Sequence, residues 1–409
     1  MRTAARCCIL LMLAACRGED RGGLHTAVST ASQECGYTAS SWPGRPTSAI
    51  GAGQLVQLGG GLPQGLNPRV FLEEHLHEFG AVYRARPFQN TCGVLLHHAF
   101  ALWAMVRTLQ PSVVIESGVN TGLSTYFIRS AAPDATIICI DPKDSPICDK
   151  AHHRWKPASK VYYLTGTHFA DFEKVDWAAK VAEFGLPPDW ASTALAFFDD
   201  HMSSYHRLPV CQKLGIRDII FEDNYLPGFG DLRVRTSEDN KLWEGDIVGN
   251  SKLGFGMKQL FDRGLSDSDA ARAVKIVESY AEFPPLLFWV PSTMRAGVAF
   301  GHRLGTKKVY TDEVLLGPSS NKTLYPEPVL RPDVCSGHLD LLKQVVQAIG
   351  VGPKICTSKA PGALEACRFH DSESWNAALQ KQPSIRAAKD EWSLYNFICY
   401  LRLRPAAVA

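Results

Sequence analysis

Between residues 111 and 231 the apolar positions fall in short continuous runs, each closed by polar or acidic residues. They are Val113-Val-Ile-Glu116, Ile137-Ile-Cys-Ile-Asp141, Val161-Tyr-Tyr-Leu-Thr165, Leu195-Ala-Phe-Phe-Asp199 and Asp218-Ile-Ile-Phe-Glu222. Runs that do not alternate with polar residues predict strands buried on both faces. Helix-compatible stretches separate them, such as Phe169–Phe184, which Gly185 and Pro187-Pro188 terminate. Strands alternating with helices predict an α/β domain, doubly wound around a mostly parallel sheet with helices on both faces. The acidic residues fall at the carboxyl ends of the strands, the edge where such sheets bind ligands.

The pattern weakens on either side. Arg21–Gln64 is rich in Gly, Ser, Thr and Pro and reads as linker. Asn67-Pro68 supplies an N-cap and a first-turn proline for a helix through Phe79. Gly93–Leu109 is apolar almost all round, which predicts a buried helix; His97 and His98 lie on it and read as core histidines before they read as ligands. Beyond Asp231, Arg233–Leu253 reads as a polar loop, Ala271–Tyr280 as a helix, and Leu286–Val290 and Ala296–Phe300 as strands completing the sheet. Leu339–Ile349 and Lys389–Tyr400 read as helices of a C-terminal extension of unknown role. The expected organisation is a signal over 1–16, linker over 17–65, the α/β domain over 66–300 and the extension over 301–409.

Composition alters this picture little. The chain has 409 residues, 45% hydrophobic and 21% charged, and a net charge of +2, which offers no concentrated basic field for nucleic acid. Arg2 and Arg6 precede the apolar run Cys7–Ala15, too short to span a bilayer but suited to a secretory signal. The expected destination is the secretory pathway or an organelle lumen; Leu13-Ala-Ala-Cys16 alternatively resembles a lipoprotein signal with Cys16 as the anchored residue. Of the 12 cysteines, none forms a CxxC pair, so a structural zinc site is not expected. Cys335, Cys356, Cys367 and Cys399 are candidates for disulfides in an oxidising compartment, and Cys139 reads as a buried small hydrophobe. Asn321-Lys-Thr323 is a glycosylation sequon.

The first strand runs into Glu116-Ser-Gly118-Val-Asn120-Thr121-Gly122-Leu-Ser124 and then a helix. Its glycines permit a tight turn and close backbone approach, and the helix N-terminus offers unpaired amides. The ExGxxxG spacing differs from the G-x-G-x-x-G of dinucleotide sites. An acid at its head disfavours pyrophosphate and suits the cationic methionyl end of S-adenosylmethionine. Asp141, closing the second strand, is placed to accept ribose hydroxyls. In these residues the chain resembles class I S-adenosylmethionine-dependent methyltransferases, which have Rossmann-like domains. The resemblance implies that Glu116, Gly118, Asn120, Thr121, Gly122, Ser124 and Asp141 bind the cofactor, with Asp171, after the third strand, on its adenine side.

Asp199-Asp200-His201 and Glu222-Asp223-Asn224 close the fourth and fifth strands, and such oxygen ligands could hold a divalent cation, foremost Mg²⁺. With Phe197-Phe-Asp199 and Ile219–Gly228 they resemble metal-dependent O-methyltransferases, of the catechol and caffeoyl-CoA type and of the macrocin and cephalosporin-hydroxylase-like group. That resemblance implies metal ligation by Asp199, Glu222, Asp223 and Asn224, with Asp200 as an alternative register for Asp199. Met202, Ser203 and Ser204 occupy the stretch where the catechol type carries a lysine, which leaves His201 as general base and His206 as second choice. The expected activity is O-methylation of a sugar or small natural product, the glycan or small-molecule acceptor being the partner. Two alternatives stay open: a secreted or luminal binding protein that keeps the fold without turnover, and a cephalosporin-hydroxylase-like enzyme of different reaction.

Overall fold

The computed structural model describes residues 61–87, 94–144, 146, 154–200, 204–222, 275–287, 328–330, 336–352, 386–387, 391–392 and 398–406. The expected signal, most of the expected linker, the sequon, the loop expected over Arg233–Leu253, and Cys335, Cys356 and Cys367 lie outside them.

Five strands follow the predicted order: β1 (Val113–Ser117), β2 (Thr136–Asp141), β3 (Val161–Thr165), β4 (Ala194–Phe198) and β5 (Asp218–Phe221). β6 (Val277–Glu282) and β9 (Cys399–Leu403) complete a seven-stranded sheet of order β3-β2-β1-β4-β5-β9-β6. Neighbours from β3 to β5 are parallel, while β9 runs antiparallel to both β5 and β6. β7 (Val351–Gly352) and β8 (Arg386–Ala387) form a separate parallel pair. The fold is therefore α/β and Rossmann-like, with a mostly parallel sheet.

Successive residues of each strand feed opposite faces. Val114, Ile137, Cys139, Leu195, Phe197 and Ile220 join one core with α1 (Pro68–Arg84), α2 (Leu96–Leu109), α3 (Leu123–Ala131) and α6 (Ser336–Ile349). Ile115, Ile138, Ile140, Ala196, Phe198 and Ile219 join the other, with α4 (Trp177–Phe184) and α5 (Ser204–Leu214). Helices on both faces explain why the strands show no polar alternation. α1 begins as its sequence predicts: Asn67 Oδ1 accepts from the amides of Arg69 and Val70 at 3.0 and 3.2 Å, and Pro68 follows. No described helix is long and apolar enough to cross a membrane.

In two stretches that read as helical from the sequence the described residues include strand: Val277–Tyr280, after helical Lys275 and Ile276, and Cys399 with Tyr400. Ala271–Tyr280 reads as a helix from the sequence, whereas its last four residues are strand in the structure. A register shift between Val277 and Ser279 breaks the period of two there, and β6 pairs with β9 across it. Lys389–Tyr400 was expected to be a helix, yet Cys399 and Tyr400 begin β9, where Tyr400 donates from its hydroxyl to Asp218. β9 lies between β5 and β6, so the residues assigned to an extension after 300 supply an interior strand of the sheet. Of Leu286–Val290 the structure describes Leu287, in an isolated bridge to Leu330. Cys399, expected in a disulfide, is buried within β9.

The tail is anchored on the helical face as well. A Cβ on Gly80 of α1 would lie 2.6 Å from the Ala348 carbonyl oxygen and 2.8 Å from its Cβ on α6. Gly80→Ala is therefore expected to cost about 1–3 kcal/mol through forced separation of α1 and α6. Urea denaturation checks this; an unchanged midpoint would show that the helices separate freely.

Candidate functional site

The register of the sheet sets the candidate site. Asp141 is level with Thr165, Ser117 with both Ile140 and Phe198, and Phe198 with Phe221. One residue further on, the ladder continues through Gly118 N–H to Ile140 O, Asp199 N–H to Ser117 O and Glu222 N–H to Phe198 O, at 2.9, 2.8 and 2.9 Å. Thr165, Asp141, Gly118, Asp199 and Glu222 thus form one row along the carboxyl edge. From β1 the chain winds to β2 on one side, and it returns to β4 on the other, so the row crosses the topological switch point. Such sheets bind ligands in that crevice.

The loop leaving β1 is held by its own chain. Gly118 and Gly122 have φ of +91° and +78°, and a Cβ on them would lie 2.0 Å from the Asp199 carbonyl oxygen and 2.4 Å from that of Trp155. The glycines thus serve the tight turn and a backbone-to-backbone approach within the protein. Asn120 is also left-handed, at φ +43°. Glu116 lies beneath the loop, fully buried. It accepts hydrogen bonds from Ser124, from Thr125 Oγ1 at 2.6 Å and from Cys139 Sγ at 3.6 Å. It therefore fastens β1 to α3 rather than lining the edge. Burial raises its pKa to about 7 against the pull of those donors, and burial with the neighbouring Glu116 pushes the Cys139 thiol well up.

Glu116 and His97 give stability a testable pH dependence. Glu116 ionises near 4.5 unfolded and near 7 folded, so stability falls by about 3 kcal/mol as pH rises through that interval. Burial lowers His97 from 6.5 to about 4, so the unfolded chain takes that proton first. Its contribution is lost, again by about 3 kcal/mol, as pH falls from 6.5 to 4. His97 is a core histidine: Leu286 N–H donates to Nδ1 at 3.1 Å, and Nε2 lies 2.8 Å from the Trp392 carbonyl. The two slopes oppose one another in the wild type. Glu116→Gln is expected to uncover the second, so that denaturation stability of the variant falls steeply below pH 6.5 while the wild type stays nearly level. Parallel curves would contradict the assignment.

Asp141 is likewise turned to the loop. Its Oδ2 accepts from the amides of Val119 and Asn120 at 3.0 and 2.8 Å, and its Oδ1 from Lys143 N–H at 2.8 Å. Arg154, absent from the sequence reading, lies against it with Nη2 3.1 Å from Asp141 Oδ2. Arg154 also donates to the carbonyls of Asn120 at 2.8 Å and Lys143 at 2.7 Å. Trp155 N–H donates to the Thr121 carbonyl at 2.9 Å, which straps this segment to the loop. No sequence signal marked Arg154, because the strap joins residues distant along the chain.

The two aspartates after β4 separate by parity. Asp199 is on the α1–α3 face with Glu222 and Asp141, whereas Asp200 is on the other, where it accepts from Ser117 Oγ at 2.6 Å and Arg207 Nη2 at 2.7 Å. Arg207, almost fully buried against Phe172 and Phe198, also binds Asp171 Oδ1 at 2.6 Å. Burial alone would lower the Arg207 pKa, but Asp200 and Asp171 raise it; burial likewise opposes ionisation of Asp171, and Arg207 holds its pKa down. Asp200 and Asp171 are thereby committed to an ion pair, which leaves Asp199 as the register facing the row.

Glu222 is buried, and His98 of α2 meets it through Nδ1. That partnership brings a histidine to the row that the sequence placed only in a core helix. Among the described residues no group of three or more His, Cys, Asp or Glu side chains converges as a metal site would. His201, Asp223 and Asn224 lie outside the described residues, as do Met202 and Ser203; of His206 only the backbone, in α5, is described.

No protein-family model matches the chain, and no curated protein matches it. Two solved structures share limited likeness. One is the cofactor-bound Rv0187 from MTB, 14% identical, covering 39% of this chain and 67% of that one, with a TM-score of 0.21. The other is a Klebsiella pneumoniae protein provisionally described as an O-methyltransferase, 16% identical, covering 39% and 66%, also at 0.21. The likeness thus spans about two thirds of each of those chains.

Proposed function

We propose that this protein is an S-adenosylmethionine-dependent methyltransferase acting on a hydroxyl of a sugar or small natural product. The observation that carries the reading is the row Asp141, Gly118, Asp199 and Glu222 across the switch point, beside a loop that opens a helix. Loop and helix N-terminus offer backbone donors, and Arg154 Nη1, buried against Asp141, has no hydrogen-bond partner among the described residues. An unspent donor suits a ligand rich in acceptor oxygens. When bound, the cofactor supplies an electrophilic methyl group. Asp141 and Arg154 hold the loop shape that receives it, and Gly118 lets the loop pack against the Asp199 backbone after β4. Glu116, Ser124 and Thr125 keep α3 in place beneath.

The side chains described do not by themselves form a cation cage, since Glu222 is engaged by His98 and Asp200 by Arg207. Asp199, Glu222, Asp223 and Asn224 would hold a divalent cation, which would lower the pKa of the acceptor hydroxyl. His98 joins His201 as a side chain able to receive the acceptor's proton. The apolar run Cys7–Ala15 behind Arg2 and Arg6 supports a secretory or luminal setting, to which the cofactor would be imported from the cytosol.

Transfer of label from methyl-tritiated S-adenosylmethionine to catechols and glycosides, with and without EDTA, tests the reading. Transfer abolished by EDTA supports the metal-dependent form, and transfer indifferent to EDTA supports a proton acceptor alone. Cofactor binding with no transfer to any acceptor would favour a binding protein that keeps the fold.

A further inference from the structure

We propose that Arg154 is a cofactor-binding residue, donating from its guanidinium to an acceptor oxygen on the ribosyl half of the cofactor. The inference rests on the S-adenosylmethionine reading above. An arginine carries five N–H donors and cannot be deprotonated at working pH. In Arg154, Nε serves the Asn120 carbonyl, and Nη2 serves the Lys143 carbonyl and Asp141. Nη1 serves nothing among the described residues, although the side chain is only 1% exposed. In the other arginines there with a buried orphaned nitrogen, Arg86, Arg129, Arg207 and Arg402, that nitrogen is Nε, with a single hydrogen at the inner end of the group. Arg154 leaves a terminal nitrogen with two.

Nor does Asp141 explain the arginine. Its carboxylate already accepts from three backbone amides, those of Val119, Asn120 and Lys143. The strap that carries Arg154 is itself pinned, by Trp155 N–H on the Thr121 carbonyl and by close approach of the Trp155 carbonyl to Gly122. A charged side chain is thus fixed at the carboxyl end of β2 with donor capacity that the fold does not use. Buried donors are nearly always paired, which makes this one a place where a ligand completes the set. The family pattern supplies an acceptor to the ribose at this strand end; here a donor stands beside it. The ligand atom that it meets must be an acceptor.

Equilibrium dialysis with labelled S-adenosylmethionine tests this, using the full chain, Arg154→Met and Arg154→Lys, with thermal melting as the control for folding. The wild type is expected to bind, and Arg154→Met to bind at least ~10-fold more weakly, as loss of a charged hydrogen bond implies. Unlabelled adenosine should lose competing power against the Met variant in the same proportion, while methionine should not. Should the Met variant melt early, Arg154→Lys is read instead, with a several-fold loss expected from its different donor geometry. A folded Met variant that binds as tightly as the wild type would overturn the role of Arg154 and leave the methyltransferase reading standing. A folded wild type that does not bind the cofactor would overturn that reading, and this inference with it.

Discussion

Arg207→Met is expected to destabilise the protein by about 3–5 kcal/mol, the cost of leaving buried carboxylates without their cation. Arg207 joins Asp200, at the end of β4, to Asp171, in the loop after β3, with Phe172 and Phe198 on its flanks. Its side chain is 1% exposed, and those of the two aspartates are 12% and 15%. Solvent therefore screens the pair little, unlike the Lys180–Glu183 pair on the surface of α4. Replacing both aspartates by asparagine in the Arg207→Met background should recover much of the loss, because the penalty lies in the unpaired charges. Urea denaturation of the three proteins measures it. A loss below about 1 kcal/mol for Arg207→Met would place the pair in the class of surface ion pairs.

Gly118→Ala is expected to be comparably severe. The added Cβ would lie 2.0 Å from the Asp199 carbonyl oxygen and 2.4 Å from its carbon, both main-chain atoms, at φ +91°. Neither neighbour can rotate away, so β1 and β4 would have to part at the switch point. The strained φ and the forced separation together cost on the order of 3 kcal/mol or more. Gly185→Ala is the control: φ is +62°, but nothing lies within 4 Å of the added Cβ, so only the backbone term applies, about 1–2 kcal/mol. Equal losses in the two variants, read from the same denaturation curves, would contradict the close approach at Gly118.

The strands from 113 to 221 are legible because burial leaves each a short apolar run bounded by turn residues, even in the edge strand β3, which is only partly buried. The last strand is not. Cys399–Leu403 lies far along the chain from its partners β5 and β6, and only that long-range pairing distinguishes it from the end of a helix. In β6, the register shift after Val277 erased the alternation that would have marked it. At the site, the acidic row was legible because strand ends in parallel register align whatever ends them. The partners were not. Arg154, Arg207 and His98 reach Asp141, Asp200 and Glu222 from other elements, and no spacing along the chain encodes those meetings. From the sequence Glu116 reads as facing a ligand, because it heads the loop as an acid suited to a cationic group. Its burial under α3, with Ser124 and Thr125 as donors, depends on the packing of that helix.

Calorimetric titration of the purified, folded protein with S-adenosylmethionine tests the central claim most directly. A saturable one-to-one heat, weakened by S-adenosylhomocysteine as competitor, is the predicted result. A folded protein that gives no heat of binding at any accessible concentration, with or without Mg²⁺, would contradict the assignment of the β1–α3 loop and its acidic row to this cofactor.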